Sequence, residues 1–132
     1  MAIDYGDART GVAVSDPTGV LTGDAWVLSE RDPAAAAQAI AEEARKREVG
    51  MLVVGYPKNM DGTAGERAQK SERFAQLLRE RCNVEVKLWD ERLTTVSALG
   101  ILRQNGRRGK KSREKTDAIA ASLILESYLR FA

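Results

Sequence analysis

Hydrophobic positions along this chain come first as short clusters interrupted by glycine and aspartate, and later as longer stripes at helical spacing. The opening clusters are Met1–Tyr5, Gly11–Ser15 and Ala25–Leu28, separated by turns that contain Gly and Asp. That pattern predicts an antiparallel meander. Asp32-Pro33 then supplies an N-cap and an N1 proline for a helix predicted to run to Glu48, with Gly50 just beyond as its stop. The low-complexity run Ala34–Ala37 lies inside this helix. Met51-Leu52-Val53-Val54 is a continuous apolar run, as a strand buried on both faces would be, and Gly55-Tyr56-Pro57 ends it. A helix over Glu66–Arg81 carries Phe74, Leu77 and Leu78 as its apolar stripe. Val84–Leu88 alternates strictly, which predicts a strand leading into Trp89-Asp90-Glu91. A third helix is predicted over Thr95–Gln104 with Gly106 as its C-cap, and a last one over Thr116–Phe131. The order β-β-β-α-β-α-β-α-α, a meander followed by crossovers, implies an α/β fold with one mixed sheet covered by helices. A length of 132 residues fits a single domain.

Composition then narrows the chemistry. With 43% apolar and 30% charged residues, the chain has the make-up of a folded protein and not of a disordered one. It contains no histidine, which removes Ser-His-Asp and Cys-His catalysis, His-ligated zinc and an imidazole general base. Its single cysteine, Cys82, excludes an intrachain disulfide and a cysteine-cluster metal site. The remaining way to activate water is through carboxylates, usually with a hard cation that takes oxygen ligands. An acid at position 4 argues against a signal peptide, and no apolar run approaches the roughly 18 residues of a membrane span. The expectation is a soluble, cytoplasmic protein with no membrane partner.

The net charge of +2 hides an asymmetry. Between Arg103 and Lys115 stand seven basic residues (Arg103, Arg107, Arg108, Lys110, Lys111, Arg113, Lys115) and one acid, Glu114, a local charge of +6. The rest of the chain holds 14 basic and 18 acidic residues, or −4. A cationic segment on an anionic body suits contact with a phosphate backbone. A solvated loop explains such a run equally simply.

Three acids fall where acids are costly or useful. At about 100° per residue, Asp117 shares a face of the last helix with Ala120, Ala121, Ile124 and Tyr128, while Ser122, Glu126 and Arg130 lie opposite. A bare carboxylate on the packing face is unfavourable. Asp117 either sits in the first turn, served by backbone donors and the helix dipole, or meets a cation in a cleft. Asp4 ends the first predicted strand, at the edge where sheets with parallel crossovers bind ligands. The other reading is a turn-capping aspartate before Gly6. Glu91 ends another strand, and a solvated acid paired with Arg92 is the plain alternative. Oxygen ligands drawn from separate elements are how a hard-cation site is assembled.

Four segments resemble, in order, the motifs of the YqgF/RuvX family. They are Asp4-Tyr5-Gly6 with Arg9–Asp16; Val54–Thr63; Trp89–Thr95; and Lys115-Thr116-Asp117-Ala118 leading into Ser122–Leu129. The matches extend over nearly the whole chain. The resemblance implies an RNase H-like fold with a five-stranded sheet of order 3-2-1-4-5. It also implies a metal-dependent nuclease related to Holliday-junction resolvases, processing the 5′ end of the 16S ribosomal RNA precursor. Carried over by position, Asp4, Glu91 and Asp117 are the expected catalytic carboxylates and ligands of Mg²⁺ or Mn²⁺, leaving a 5′ phosphate and a 3′ hydroxyl. Gly6, Asn59, Asp61 and Asp90 are expected to face substrate or stand behind the ligands, although a turn explains Asp61-Gly62 equally well. Arg9, Arg107, Arg108, Lys110, Lys111, Arg113 and Lys115 are the expected contacts to nucleic acid. In the implied strand order two intervals of ~4.8 Å separate the strands that carry Asp4 and Glu91, so Glu91 must reach inward. Asp90 is its alternate.

The competing readings are a junction resolvase, a non-catalytic RNA-binding ribosome-assembly factor and, weakest, a nucleotide-binding domain. A resolvase must present two sites to opposed strands. The chain is expected to be a monomer or homodimer acting on structured RNA or branched DNA.

Overall fold

The computed structural model describes residues 1–16, 18, 19, 22–59, 61–94 and 110–131, with side chains from Lys115 onward in the last segment. The elements are β1 (Ala2–Asp4), β2 (Thr10–Ser15), β3 (Thr22–Leu28), α1 (Pro33–Lys46), β4 (Met51–Tyr56), α2 (Glu66–Arg81), β5 (Glu85–Asp90), a 3-10 turn (Glu91–Leu93) and α3 (Lys110–Phe131). The helix predicted over Thr95–Gln104, its Gly106 cap, and Arg103, Arg107 and Arg108 lie outside the described residues.

The strand order is β3-β2-β1-β4-β5. β1 pairs antiparallel with β2, and β2 with β3, while β4 runs parallel to both β1 and β5. This is the mixed sheet that a meander followed by crossovers requires.

Several strand ends shift by one or two residues from the pattern in the sequence, and three larger differences have a physical reason. β3 starts at Thr22, ahead of the expected Ala25, because its pairing with β2 continues past a register shift between Ala13 and Ser15. The residues added, among them exposed Asp24, carry no apolar signal. α1 begins as expected, with Asp32 accepting from the Ala35 amide at 3.0 Å, but ends at Lys46. Glu48 takes φ 55°, and Val49 donates to the Ala44 carbonyl at 2.9 Å. The left-handed closing residue is therefore Glu48, a role usually filled by glycine, and Gly50 is not the stop. α3 starts at Lys110, well ahead of Thr116. Its packed C-terminal half nucleates the helix, and Lys-Lys-Ser-Arg-Glu-Lys contains nothing to stop it from extending backward.

Alternation along the strands sends successive side chains to opposite faces. Ile3, Val12, Leu52 and Val54 meet α1 and α2 through Ile40, Phe74, Ala75 and Leu78. Ala2, Ala13 and Val53 meet α3 through Ala121, Ile124 and Leu125. Asp4 has the parity of Ala2, so it points to the α3 side. Tyr5 has the parity of Ile3 and stacks on Phe74 with ring centroids 4.3 Å apart. A Cβ on Gly11 would collide with the Asp117 carbonyl oxygen. The bare backbone at Gly11 is what lets α3 lie directly on β2.

Candidate nuclease site

The carboxyl-terminal ends of the parallel strands β1, β4 and β5 form one edge of the sheet. Asp4 ends β1 and is 8% exposed; its cross-strand neighbour is Gly11. Asp117 stands over Gly11 on α3. The pleat and the approach of the helix thus bring the first and last motifs of the sequence to the same corner.

Glu91 arrives from the other side, at the first position of the 3-10 turn, and is 6% exposed. β4 lies between it and β1. The residue of β4 on the way is Gly55, in register with Trp89. A Cβ built on Gly55 would come within 3.0 Å of Glu91 Oε1 and 2.6 Å of Ile124 Cδ1. The missing side chain leaves the space over β4 that the Glu91 carboxylate occupies. Gly55 was expected to shape the loop after the strand; it is inside the strand, and its use is to leave room.

The turn bearing Glu91 is tied at several points. Trp89 Nε1 donates to Ser127 Oγ at 2.9 Å, and Ser127 Oγ donates to the Leu93 carbonyl at 3.0 Å. Thr94 returns its amide, at 2.9 Å, and its hydroxyl to the Glu91 carbonyl. Ser127, buried on α3, is a positioning residue that periodicity did not single out. Its sequence signal is its place in the fourth motif, Ser122–Leu129, next to Glu126 and Tyr128.

Asp90, the alternate to Glu91, is committed elsewhere. Its two oxygens hold Arg92 Nε at 3.1 and 2.9 Å, and Oδ1 accepts from the Arg92 amide at 2.9 Å. The hydrogen-bonded Arg92 guanidinium holds the Asp90 carboxyl below its ordinary range. Arg92 is thus held by Asp90, and the alternative in which Glu91 is a solvated acid paired with Arg92 gives way.

Asp117 is half-buried, and Arg9 Nε donates to its Oδ2 at 2.7 Å. As the eighth residue of α3 it lies beyond the first turn, so helix-end backbone donors do not account for it; a guanidinium does. Arg9, expected to contact nucleic acid, spends one nitrogen on a site carboxylate. Among the described residues, no three acidic or cysteine side chains are grouped closely enough to hold one metal ion.

Asn59 and Asp61 build a turn. Asn59 exchanges backbone hydrogen bonds with Thr63 and Gly62 at 2.9 Å, and Asp61 Oδ1 accepts from the Thr63 amide and hydroxyl at 3.0 and 2.7 Å. Those bonds, the hydroxyl foremost, keep the Asp61 carboxyl below its usual range. The turn reading therefore accounts for both residues. Gly6 likewise serves local shape, since a Cβ there would strike the Arg9 carbonyl oxygen. Of the basic segment, Lys110, Lys111 and Arg113 fall in the opening turns of α3, and Lys115 is exposed two residues before Asp117. The structure thus puts them on a helix where a loop was the alternative. Arg107 and Arg108 lie outside the described residues.

A family model described as "RuvX: Holliday junction resolvase" matches residues 1–131. The chain belongs to the RuvX family. Relatives named "Putative pre-16S rRNA nuclease" include one from Halothermothrix orenii, 40% identical over 131 residues that span 99% of this chain and 94% of the relative. One from Shouchella clausii is 41% identical over 98% of this chain and 92% of its own. One from Clostridium botulinum (strain Hall) is 36% identical, with 98% and 94% covered. Among solved structures, RuvC of Thermus thermophilus superposes with a TM-score of 0.55 at 15% identity, covering 97% of this chain and 93% of that one. The RuvX chain therefore has the RNase H-like fold that its motifs implied. No helix among the described residues is long and apolar enough to cross a membrane.

Proposed function

We propose that this chain is a metal-dependent nuclease that hydrolyses phosphodiester bonds in structured RNA, with the 5′ end of the 16S ribosomal RNA precursor as its substrate. The observation that carries the reading is the space over Gly55, in which the buried Glu91 carboxylate lies on β4, the strand beside the one that ends in Asp4. Two carboxylates held at one sheet edge supply oxygen donors of the kind that a hard cation takes.

The donor chemistry, and not the spacing of the three acids in the free protein, suits a hard divalent cation such as Mg²⁺ or Mn²⁺: Asp4, Glu91 and Asp117 offer only oxygen, and the chain has no imidazole. A divalent ion held there would polarise the phosphodiester and lower the pKa of water, the task a histidine performs elsewhere. Asp4 and Glu91 act as fixed acceptors, because strand pairing and the Ser127 bridge leave them little freedom. Asp117 is oriented by Arg9. Lys115 and the basic residues preceding it on α3 hold the phosphate backbone beside the site.

The family description and the likeness to RuvC support a second reading, cleavage of a four-way DNA junction. One assay separates the two: 5′-extended 16S precursor RNA and a synthetic four-way junction are each incubated with protein and Mn²⁺. The RNA is cleaved, and Asp4→Asn and Asp117→Asn each lower the rate by about 100-fold or more. Junction cleavage without RNA cleavage transfers the site to the second reading. Equal rates in the wild type and both variants sink the carboxylate mechanism.

A further inference from the structure

Arg9 is paired with Asp117 by a hydrogen bond. It reaches Asp117 through Nε alone, at 2.7 Å, and neither terminal guanidinium nitrogen makes a hydrogen bond among the described residues. Arg9 is fixed on both sides of its backbone: its carbonyl closes against Gly6, and the next residue opens β2. Its side chain is 26% exposed and that of Asp117 is 20% exposed, so solvent screens the pair incompletely. The guanidinium is therefore a permanent positive charge beside Asp117, and the pair as a whole is neutral.

A metal ion arriving at Asp117 meets that guanidinium as a like charge. Two positive groups a few ångströms apart in a partly desolvated cleft repel strongly. A phosphodiester changes the sign of the encounter. Its non-bridging oxygens accept from the terminal nitrogens in the fork geometry that arginine offers, and the same phosphate faces the metal. One anion then lies between two cations.

Resting on the nuclease reading above, we propose that Arg9 makes metal binding depend on substrate. It neutralises Asp117 in the free protein and disfavours a divalent ion there; once a nucleic-acid phosphate binds its free fork, the ion is accepted. Arg9 is thus a positioning residue that couples two ligands, and the coupling is reciprocal by linkage.

The test is Mn²⁺ affinity, measured by electron paramagnetic resonance of the free ion, with and without a short phosphorothioate RNA that resists cleavage. The wild-type protein alone binds Mn²⁺ weakly, and the oligonucleotide tightens binding about tenfold or more. Arg9→Gln alone binds Mn²⁺ about tenfold tighter than wild type and gains little from the oligonucleotide. Arg9→Lys, which keeps the charge, behaves like wild type without RNA. Equal or weaker Mn²⁺ binding by Arg9→Gln overturns the proposal, as does a wild-type affinity indifferent to RNA, which requires no variant to fold. Asp117→Asn distinguishes the two levels. If it leaves Mn²⁺ binding unchanged, the metal reading of the site fails and the coupling with it; if it weakens binding while Arg9→Gln matches wild type, only the coupling fails.

Discussion

The two faces of the sheet are built from the same strands by the same alternation, yet they are packed on different plans. Towards α1 and α2 the strands present Ile3, Val12, Leu52 and Val54, met by Phe74 and Leu78. Towards α3 they present Ala2, Gly11, Ala13, Val53 and Gly55, met by Ala121 and Ile124. The first face gains stability from large apolar side chains. The second gives up side-chain volume, and in return a helix backbone comes close enough to place Asp117 over β2 and Glu91 lies over β4. Where small residues line one face of a sheet whose other face is filled, the small face is a candidate for chemistry.

Phe74→Ala provides the widest break between the faces. Removing this 1%-exposed ring costs about 3–5 kcal/mol, read as a lowered midpoint in urea unfolding, while the folded fraction cleaves RNA at the wild-type rate. A loss of cleavage per folded molecule would show that the two faces are not separable. Gly55→Ala reverses the pattern. The new methyl crowds Ile124 and displaces the Glu91 carboxylate, costing about 1–3 kcal/mol of stability but about 100-fold or more in cleavage rate. Retained activity would mean that Glu91 does not depend on this space. The smallest expected effect lies away from both faces. Glu48→Gly relieves the positive φ that closes α1, so the thermal midpoint should rise by the equivalent of about 0.5–1 kcal/mol with cleavage unchanged. A fall instead would mean that the Glu48 side chain contributes more than its backbone strain costs.

Much of the site was legible because it rests on local rules. Asp4 before Gly6 ends a strand, Glu91 follows an alternating run, and Asp117 interrupts an apolar helix face. Each is an acid in a place where composition alone would put something else. Asn59 and Asp61 stayed open between two readings for the complementary reason. Their residue types suit a substrate contact and a turn equally, and only the hydrogen bonds to Thr63 decide for the turn. Asp90 and Glu91 are adjacent and chemically alike, so their sequence cannot rank them. Backbone parity and the Arg92 clasp do, turning Glu91 inward and retiring Asp90.

By itself, then, the sequence determined the order of the elements among the described residues, the mixed sheet, the absence of imidazole chemistry and the three acids worth watching. These follow from periodicity, capping and composition, which act over a few residues at a time. The tertiary structure decided what those acids meet: Gly55 under Glu91, Gly11 under Asp117, Ser127 between Trp89 and Leu93, and Arg9 on Asp117 across 108 positions of chain. Such contacts depend on how closely α3 lies on the sheet. That distance is set by the side chains missing from the facing strands, and no local pattern along the chain announces which absence will face which carboxylate.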